Sequence, residues 1–447
     1  MLETGFPDAF PGSQHPANQR PRCKQRDIKL AALQSSGVFD PRGSRQISML
    51  AWILGSLLAG IKLLQRGFST NALTHAILRI HLRRIKLLPA AERRCHMSLL
   101  LMEQDAEFLK LTNEVFTRQL DANHTLNNML TDHARQKMYQ DVKYNIDFLY
   151  TALCLEDDGI YARYARWLYQ LLIPLMAGCS RESLRDIMTE HYELIRTCIS
   201  KTLSYEKHER LHRLLNGAIK ATAEECDAGP PAPSSAPVTY EKEVTRYLDC
   251  LLQSDTEGAL ALVTGCVKEG IPLDDVCADI VAEAMRRVGE LWHLHLISVD
   301  MEHYCTSVTQ MALAQFYPLI FGQPRKGKTV LIACVGSELH EIGARMIADL
   351  FEYSGWDSIY LGAAVPVETL LSAAAKYQPD LIALSVTMPQ HLPLCRNAVE
   401  QLRAKFPKPK IAVGGNAFTD TKIWKGWNVD IYTEDAKALV QWADNSL

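Results

Sequence analysis

Two periodicities divide the chain. From Met97 to about Ala223, apolar residues recur at helical spacing with almost no strand-like run. This predicts helices near 99–121, 123–136, 138–154, 158–176, 181–201 and 205–223. Ser180, with Glu182 and Ser183 behind it, supplies an N-cap, and Pro174 falls near a helix end, where a break is expected. Helical spacing resumes at Tyr240 and predicts four helices: Tyr240–Ser254, Glu257–Glu269, Leu273–Leu294 and Val299–Phe321. Four helices of this size make a small bundle. After 328 the pattern changes. TVLIACV (329–335) is a continuous apolar run of the kind buried on both faces of a parallel sheet. SIYLGA (358–363), LIALSVT (381–387), KIAVGG (410–415) and DIYTE (430–434) follow, separated by helical stretches at 342–354, 367–377 and 391–406 and closed by a helical tail. Strands alternating with helices predict a doubly wound α/β sheet, in which ligands sit beyond the carboxyl ends of the strands. The chain therefore reads as multidomain: all-α, then a four-helix bundle, then α/β.

Composition places the boundaries. Residues 226–238, CDAGPPAPSSAPV, form a Pro/Ala/Ser-rich linker between an all-helical domain at 97–225 and the bundle at 239–322. The α/β unit occupies 328–447. The net charge of −3 argues for neither a nucleic-acid binder nor an acidic tail. It is unevenly spread, because residues 1–96 hold 15 Lys/Arg against 5 Asp/Glu and carry about +10, leaving about −13 on the remainder. Residues 1–46 read as disordered. ISMLAWILGSLLAGI (47–61) is uncharged but shorter than the roughly 20 residues a spanning helix needs. Two readings of it stand. It is an interfacial, signal-like or weakly anchoring segment, or residues 1–96 are an upstream extension that is not translated, in which case the membrane plays no part. The 12 cysteines form no C-x-x-C pair and no zinc-type spacing, so they read as reduced, mostly core thiols of a cytoplasmic protein.

Candidate chemistry is concentrated in three places. Tyr144, Phe148, Tyr161, Tyr164, Trp167 and Tyr169 concentrate aromatic rings over two adjacent helices. They read as a helix–helix core, with a pocket for a flat ligand such as a tetrapyrrole as the second reading. Within the bundle, VGELWHLHLISVDMEHYCT (288–306) brings Trp292 and His293 at one helix end near Glu302 and His303 at the start of the next. In the α/β unit the motifs fall at strand ends: Gly336–Gly343 (GSELHEIG) after the first strand, Ser385–Val386–Thr387 after the third, Gly414–Gly415 after the fourth, and Tyr432 with TEDA after the fifth.

These strand-end motifs resemble the cobalamin-binding domain family in its His-on form, with a flavodoxin-like sheet. The family pattern is Asp-x-His-x-x-Gly, then Ser-x-Thr or Ser-x-Leu, then Gly-Gly. The resemblance covers about 240–447 and makes the bundle a cap over the cofactor. It implies that His340 ligates cobalt from below while the nucleotide tail runs into a slot between sheet and helices. The residue types suit that chemistry. An imidazole nitrogen is a good ligand for cobalt, and a carboxylate two residues earlier can accept its other N–H. Glu338 stands where most members have Asp. Gly343 would let the loop and helix pass close to the corrin, Gly414 and Gly415 would clear room for the tail, Ser385 and Thr387 would hydrogen-bond it, and Leu339, Glu341, Ile342, Val386 and Tyr432 complete the expected cofactor-binding set.

Trp292 followed by Glu302–His303 resembles the W-x9-E-H pattern of light-responsive adenosylcobalamin sensors. There the Trp and the Glu-His pair surround the upper axial group, and the histidine after the Trp, here His293, takes the cobalt once light removes that group. This implies a regulatory protein rather than an enzyme. No general acid/base pair, phosphate loop or nucleophile arrangement is evident. Residues 97–223 carry no basic recognition helix, which argues against direct DNA binding. The expected output is a protein partner, a transcription factor or signalling protein, with a change of homo-oligomeric state as a further route. A two-chromophore photoreceptor, with a second tetrapyrrole in the N-terminal helices, is the related reading. The alternative from another class is a corrinoid methyl-carrier subunit of a methyltransferase system.

Overall fold

A computed structural model describes residues 105–447 except 177, 201–204 and 230–237. The basic extension, the apolar run at 47–61 and most of the linker lie outside the described residues. Those described belong to one compact unit. No helix among them is long and apolar enough to cross a membrane.

The N-terminal part is helical: α1 (Ala106–Ala122), α2 (His124–Met129), α3 (Asp132–Leu155), α4 (Asp158–Leu175), α5 (Arg181–Ile199) and α6 (Tyr205–Ala228). Two expectations are corrected here. The break expected near 137 falls instead at Leu130–Thr131, because Thr131 caps α3 by accepting from the Ala134 N–H at 3.2 Å. Helix α6 continues to Ala228, three residues into the expected linker. The aromatic concentration is core. Phe148 stacks on Tyr164 with centroids 3.9 Å apart, Tyr164 meets Tyr161 and Trp167, and Tyr161 meets Tyr192. Tyr161, Tyr169 and Tyr192 are fully buried.

The second group of helices is α7 (Glu241–Leu252), α8 (Thr256–Lys268), α9 and α10 (Val299–Ala314). Helix α9 runs from Leu273–Asp275 through a π-helical turn, Val276–Val281, into Ala282–His293. The expected single helix to Phe321 stops at Ala314, and a separate turn, Tyr317–Ile320, follows. Pro318 cannot donate to a preceding carbonyl, so an unbroken helix is disfavoured there.

The C-terminal part holds five parallel strands: β1 (Thr329–Cys334), β2 (Asp357–Tyr360), β3 (Leu381–Ser385), β4 (Lys410–Gly414) and β5 (Ile431–Tyr432), in the order β2-β1-β3-β4-β5. That is the flavodoxin-like order of a doubly wound sheet. Helices α11 (Ile342–Tyr353), α12 (Val367–Tyr377), α13 (Leu392–Lys405) and α14 (Ala436–Ser446) complete it. The strands end sooner than their apolar runs, and the residues beyond them form the loops of the site. Alternation sorts the sheet's side chains into two cores. Leu331, Ala333, Ile382 and Leu384 join α12, α13 and the N-terminal helices in one. Val330, Ile332, Cys334 and Ala383 join α11, α14 and helices α7–α10 in the other. Buried on both faces, such strands read as continuous apolar runs.

Most thiols lie inside these cores. Cys198, Cys266, Cys277, Cys305, Cys334 and Cys395 are buried.

Candidate functional site

Strand order decides where a site can form. β1 connects outward to β2, and the chain then returns past β1 to β3, so the loops after β1 and β3 diverge and leave a crevice at the carboxyl edge. The loop from Val335 to Glu341 occupies it. Registered side by side beyond it are Cys334, Ser385 and Gly414.

Glu338 organises this loop. Its side chain is fully buried. Oε1 accepts from the backbone N–H of His340 at 3.0 Å and lies 2.5 Å from His340 Nδ1. Oε2 accepts from the N–H groups of Thr387 and Met388, both at 2.8 Å, and lies 3.2 Å from His391 Nδ1. Burial alone would raise the carboxyl's pKa, but the hydrogen bonds from His340, His391 and Met388 outweigh it and hold Glu338 far below the usual carboxylate range. The hydrogen bond to Glu338 raises the pKa of His340 against the opposing effect of burial, with the Glu338 charge adding to the rise. Because Nδ1 is committed to the carboxylate, Nε2 is the nitrogen that can face a metal. His391 was not expected. It is buried, 3.0 Å from Ser337 Oγ, and stands on the far side of Glu338. Its 53-residue separation from Glu338 gives no local signal.

A cavity of about 1080 Å³ opens above and beside His340. That lies at the upper end of the range for small-molecule sites and suits a large cofactor. Trp292, Glu302, His303, Leu339, His340, Glu341, Ile342, Gly343, Ser385, Thr387, Gly414 and Gly415 all line it, so most of the expected residues come together. A Cβ on Gly343 would touch no protein atom, so the space it leaves belongs to the cavity. Gly415 has a different reason: its φ is +96°, and a Cβ would stand 2.3 Å from the Val386 carbonyl. Ala383, Ala412 and Gly414 keep the wall beside the sheet low.

The upper wall comes from α9 and α10. Glu302 Oε2 lies 2.5 Å from His303 Nδ1, while Oε1 accepts from the Thr306 hydroxyl at 3.0 Å. Glu302 is near enough to His340 for its charge to add to the upward pKa shift there. Gln310 on α10 donates to Glu341 at 3.1 Å, and the Tyr360 hydroxyl donates to the other oxygen of Glu341 at 3.1 Å, tying α10, the loop and β2 together.

Three expected residues stand elsewhere. Val386 is buried beneath Gly415. Tyr432 packs beside Phe418 and Trp424. His293 is not among the cavity-lining residues and turns onto the N-terminal helices. Its ring stacks on Trp167 with centroids 5.2 Å apart, and Nε2 lies 3.3 Å from Gln170 Oε1. Burial, with a smaller contribution from His295, lowers its pKa.

Residues 328–440 match a family model described as a B12 binding domain, and residues 244–317 match a second one so described. The HTH-type transcriptional repressor CarA of Myxococcus xanthus is 30% identical over 120 residues, which are 27% of this chain and 41% of that protein. This chain thus spans less than half the length of that relative. Trimethylamine corrinoid protein 2 of Methanosarcina acetivorans is 28% identical over 211 residues, 45% of this chain and 94% of that protein. Among solved structures, the Methanosarcina barkeri monomethylamine corrinoid protein aligns at 18% identity and a TM-score of 0.42, over 46% of this chain and 99% of that one.

Proposed function

The chain belongs to a cobalamin-binding family, and from that premise we propose that it is a light-responsive cobalamin sensor that signals to a protein partner. Trp292 and the Glu302–His303 pair line the same cavity as His340, and this apposition carries the reading. The donor set fits the cofactor. His340 offers one nitrogen to a cobalt and holds the other on a buried carboxylate. Small residues at the ends of β3 and β4 leave a slot beside the sheet for a tail.

Adenosylcobalamin, when bound, supplies a cobalt–carbon bond that visible light cleaves. This chain's residues do the rest. His340 would hold the cobalt through Nε2. Trp292 and Val299 present apolar surface above, and Glu302 orients His303. His293, which rests on Trp167, would leave it for the cavity to meet the cobalt. The lowered pKa of His293 would weaken a proton's competition with a metal. The move breaks a contact with the N-terminal helices, which gives the bundle a second arrangement and a surface on which a partner can read it.

The similarity to a trimethylamine corrinoid protein along 94% of its length favours a second reading, a methyl-carrier subunit serving a methyltransferase. The deciding experiment is reconstitution with adenosylcobalamin in the dark, followed by absorption spectra before and after green light, for the wild type and His293→Ala. A stable light-induced spectrum that the variant loses supports the sensor. Cofactor retention without a His293-dependent photoproduct sinks the sensor and leaves the carrier.

A further inference from the structure

The buried carboxylate of Glu338 serves two imidazoles, and the function proposed above uses one of them. Oε1 is taken up by His340, through its backbone N–H and Nδ1. Oε2 receives the backbone N–H groups of Thr387 and Met388 and faces Nδ1 of His391 at 3.2 Å. An ionised carboxylate only accepts, so the bond to His391 needs its hydrogen on Nδ1. Nε2 of the neutral ring then accepts, and the Ser337 hydroxyl stands 3.0 Å away to donate. His391 thus grips two consecutive residues of the loop after β1, Ser337 and Glu338.

The support behind that ring is firm. His391 is buried and closes the tight turn Pro389–His391, where its backbone N–H donates to the Met388 carbonyl at 3.0 Å. Helix α13 starts at the next residue, and α3 packs over the turn. The loop after β1 comes down on the start of α13, where a Cβ on Gly336 would stand 2.5 Å from Leu394 Cδ1. His340 is placed differently. Its ring lines the open cavity and takes its orientation from Glu338. A glutamate side chain turns about three bonds, so an anchor on one carboxylate oxygen limits where the other can stand. We propose that His391 is a positioning residue, which fixes the far oxygen of Glu338 and so presents Nε2 of His340 to cobalt. This rests on the corrinoid reading of the cavity.

The test is anaerobic titration of the full chain with cob(II)alamin, followed by absorbance, in the wild-type and His340→Ala backgrounds. His391→Leu removes the N–H while keeping apolar bulk. It should weaken binding by roughly tenfold when His340 is present, the scale of a hydrogen bond to a charged group, and by less than about twofold when His340 is absent. His391→Asn offers an amide N–H in place of Nδ1 and should restore binding to within about threefold of the wild type. Ser337→Ala loosens the ring from its other side and should weaken binding a few-fold, again only with His340 present; it carries the comparison if thermal unfolding shows that apo His391→Leu does not fold. The same factor in both backgrounds would make His391 a packing residue and overturn the proposal. So would an Asn variant that binds no better than Leu, or no loss at all. Electron paramagnetic resonance of the wild-type complex tests the premise separately, because the nitrogen splitting of the cobalt lines should change when the protein carries nitrogen-15 histidine. A wild-type protein that binds no cob(II)alamin, or whose spectrum ignores the label, would sink ligation by His340 itself.

Discussion

The imidazole of His293 lies over the indole of Trp167, with planes 25° apart and centroids at 5.2 Å, across the seam between the bundle and the N-terminal helices. The residue expected to enter the cofactor site thus rests on the N-terminal helix α4. An aromatic pair of this kind contributes about 0.5–1.5 kcal/mol. That is enough to hold a resting position and small enough for a metal ligand to overcome.

Trp167→Ala should therefore free His293 without emptying the site. In the dark, hydrogen exchange around 290–296 and 163–172 should be faster than in the wild type by roughly two- to twelvefold, the equivalent of that stacking energy. Light should raise exchange in the wild type to the level of the variant and change the variant little. If exchange in 163–172 ignores both light and the substitution, the contact carries no signal.

Glu338 sets a second expectation, about pH. A carboxylate held below its ordinary value adds stability that is present above its unfolded pKa, about 4.3, and lost as pH falls through the folded value. His340, held above its ordinary value, adds stability that is full below about 6.5 and lost as pH rises through its folded value. Glu338→Gln should cost on the order of 2–3 kcal/mol at neutral pH by urea unfolding, because hydrogen bonds to a charge are lost. It should also flatten the loss of stability in acid. On the proposed ligation, protons would compete with cobalt for His340, and Glu338 would strengthen that competition. The fall in cobalamin affinity on acidification should therefore begin at a lower pH in the variant. An unchanged onset would mean that Glu338 does not tune the ligand.

Asp147 behaves in the opposite sense. Burial pushes its carboxyl up to about 8, and its Oδ2 has no hydrogen-bond partner. The native state holds the proton, so stability falls as pH rises from about 3.9 toward 8, a loss on the order of 4 kcal/mol at pH 7. Asp147→Asn removes the ionisation and should stabilise the protein by several kcal/mol at pH 8 but little at pH 5. Urea unfolding at the two values checks this, and parallel stability curves for the two proteins would contradict it.

What the sequence disclosed follows from the range of the interactions. β1 was legible because burial on both faces makes Thr329–Cys334 a nearly unbroken apolar run, and the Glu338–His340 pair because its partners are two residues apart. β5 was barely so, with only Ile431 and Tyr432 paired. His391 on Glu338, Gln170 on His293 and Lys437 between two aspartates join residues 53, 123 and about 160 positions apart, and no local spacing announces them. The glycine pair was noticed for the room it leaves, yet the tighter constraint on Gly415 is its backbone.

Gly415→Ala separates those two roles. At a φ of +96° an L-residue is strained whatever space surrounds it, and the added Cβ would meet the carbonyl and nitrogen of Val386 at 2.3 and 3.0 Å. Neither neighbour is a flexible side chain. Ala417 N donates to the Val386 carbonyl at 3.1 Å, and Val386 N donates to Gly414 O at 3.0 Å, so the loops after β3 and β4 must shift together. The expected cost is about 2–4 kcal/mol in urea unfolding of the apo protein. Gly414→Ala is the contrasting case. Its Cβ would meet only the Thr433 carbonyl, at 3.2 Å, and Gly414 itself lines the cavity. That variant should lose little stability, under about 1 kcal/mol, yet bind cobalamin more weakly while cobinamide binding is spared. If Gly415→Ala unfolds at the wild-type denaturant concentration, the close approach of the two loops is not what the glycine serves.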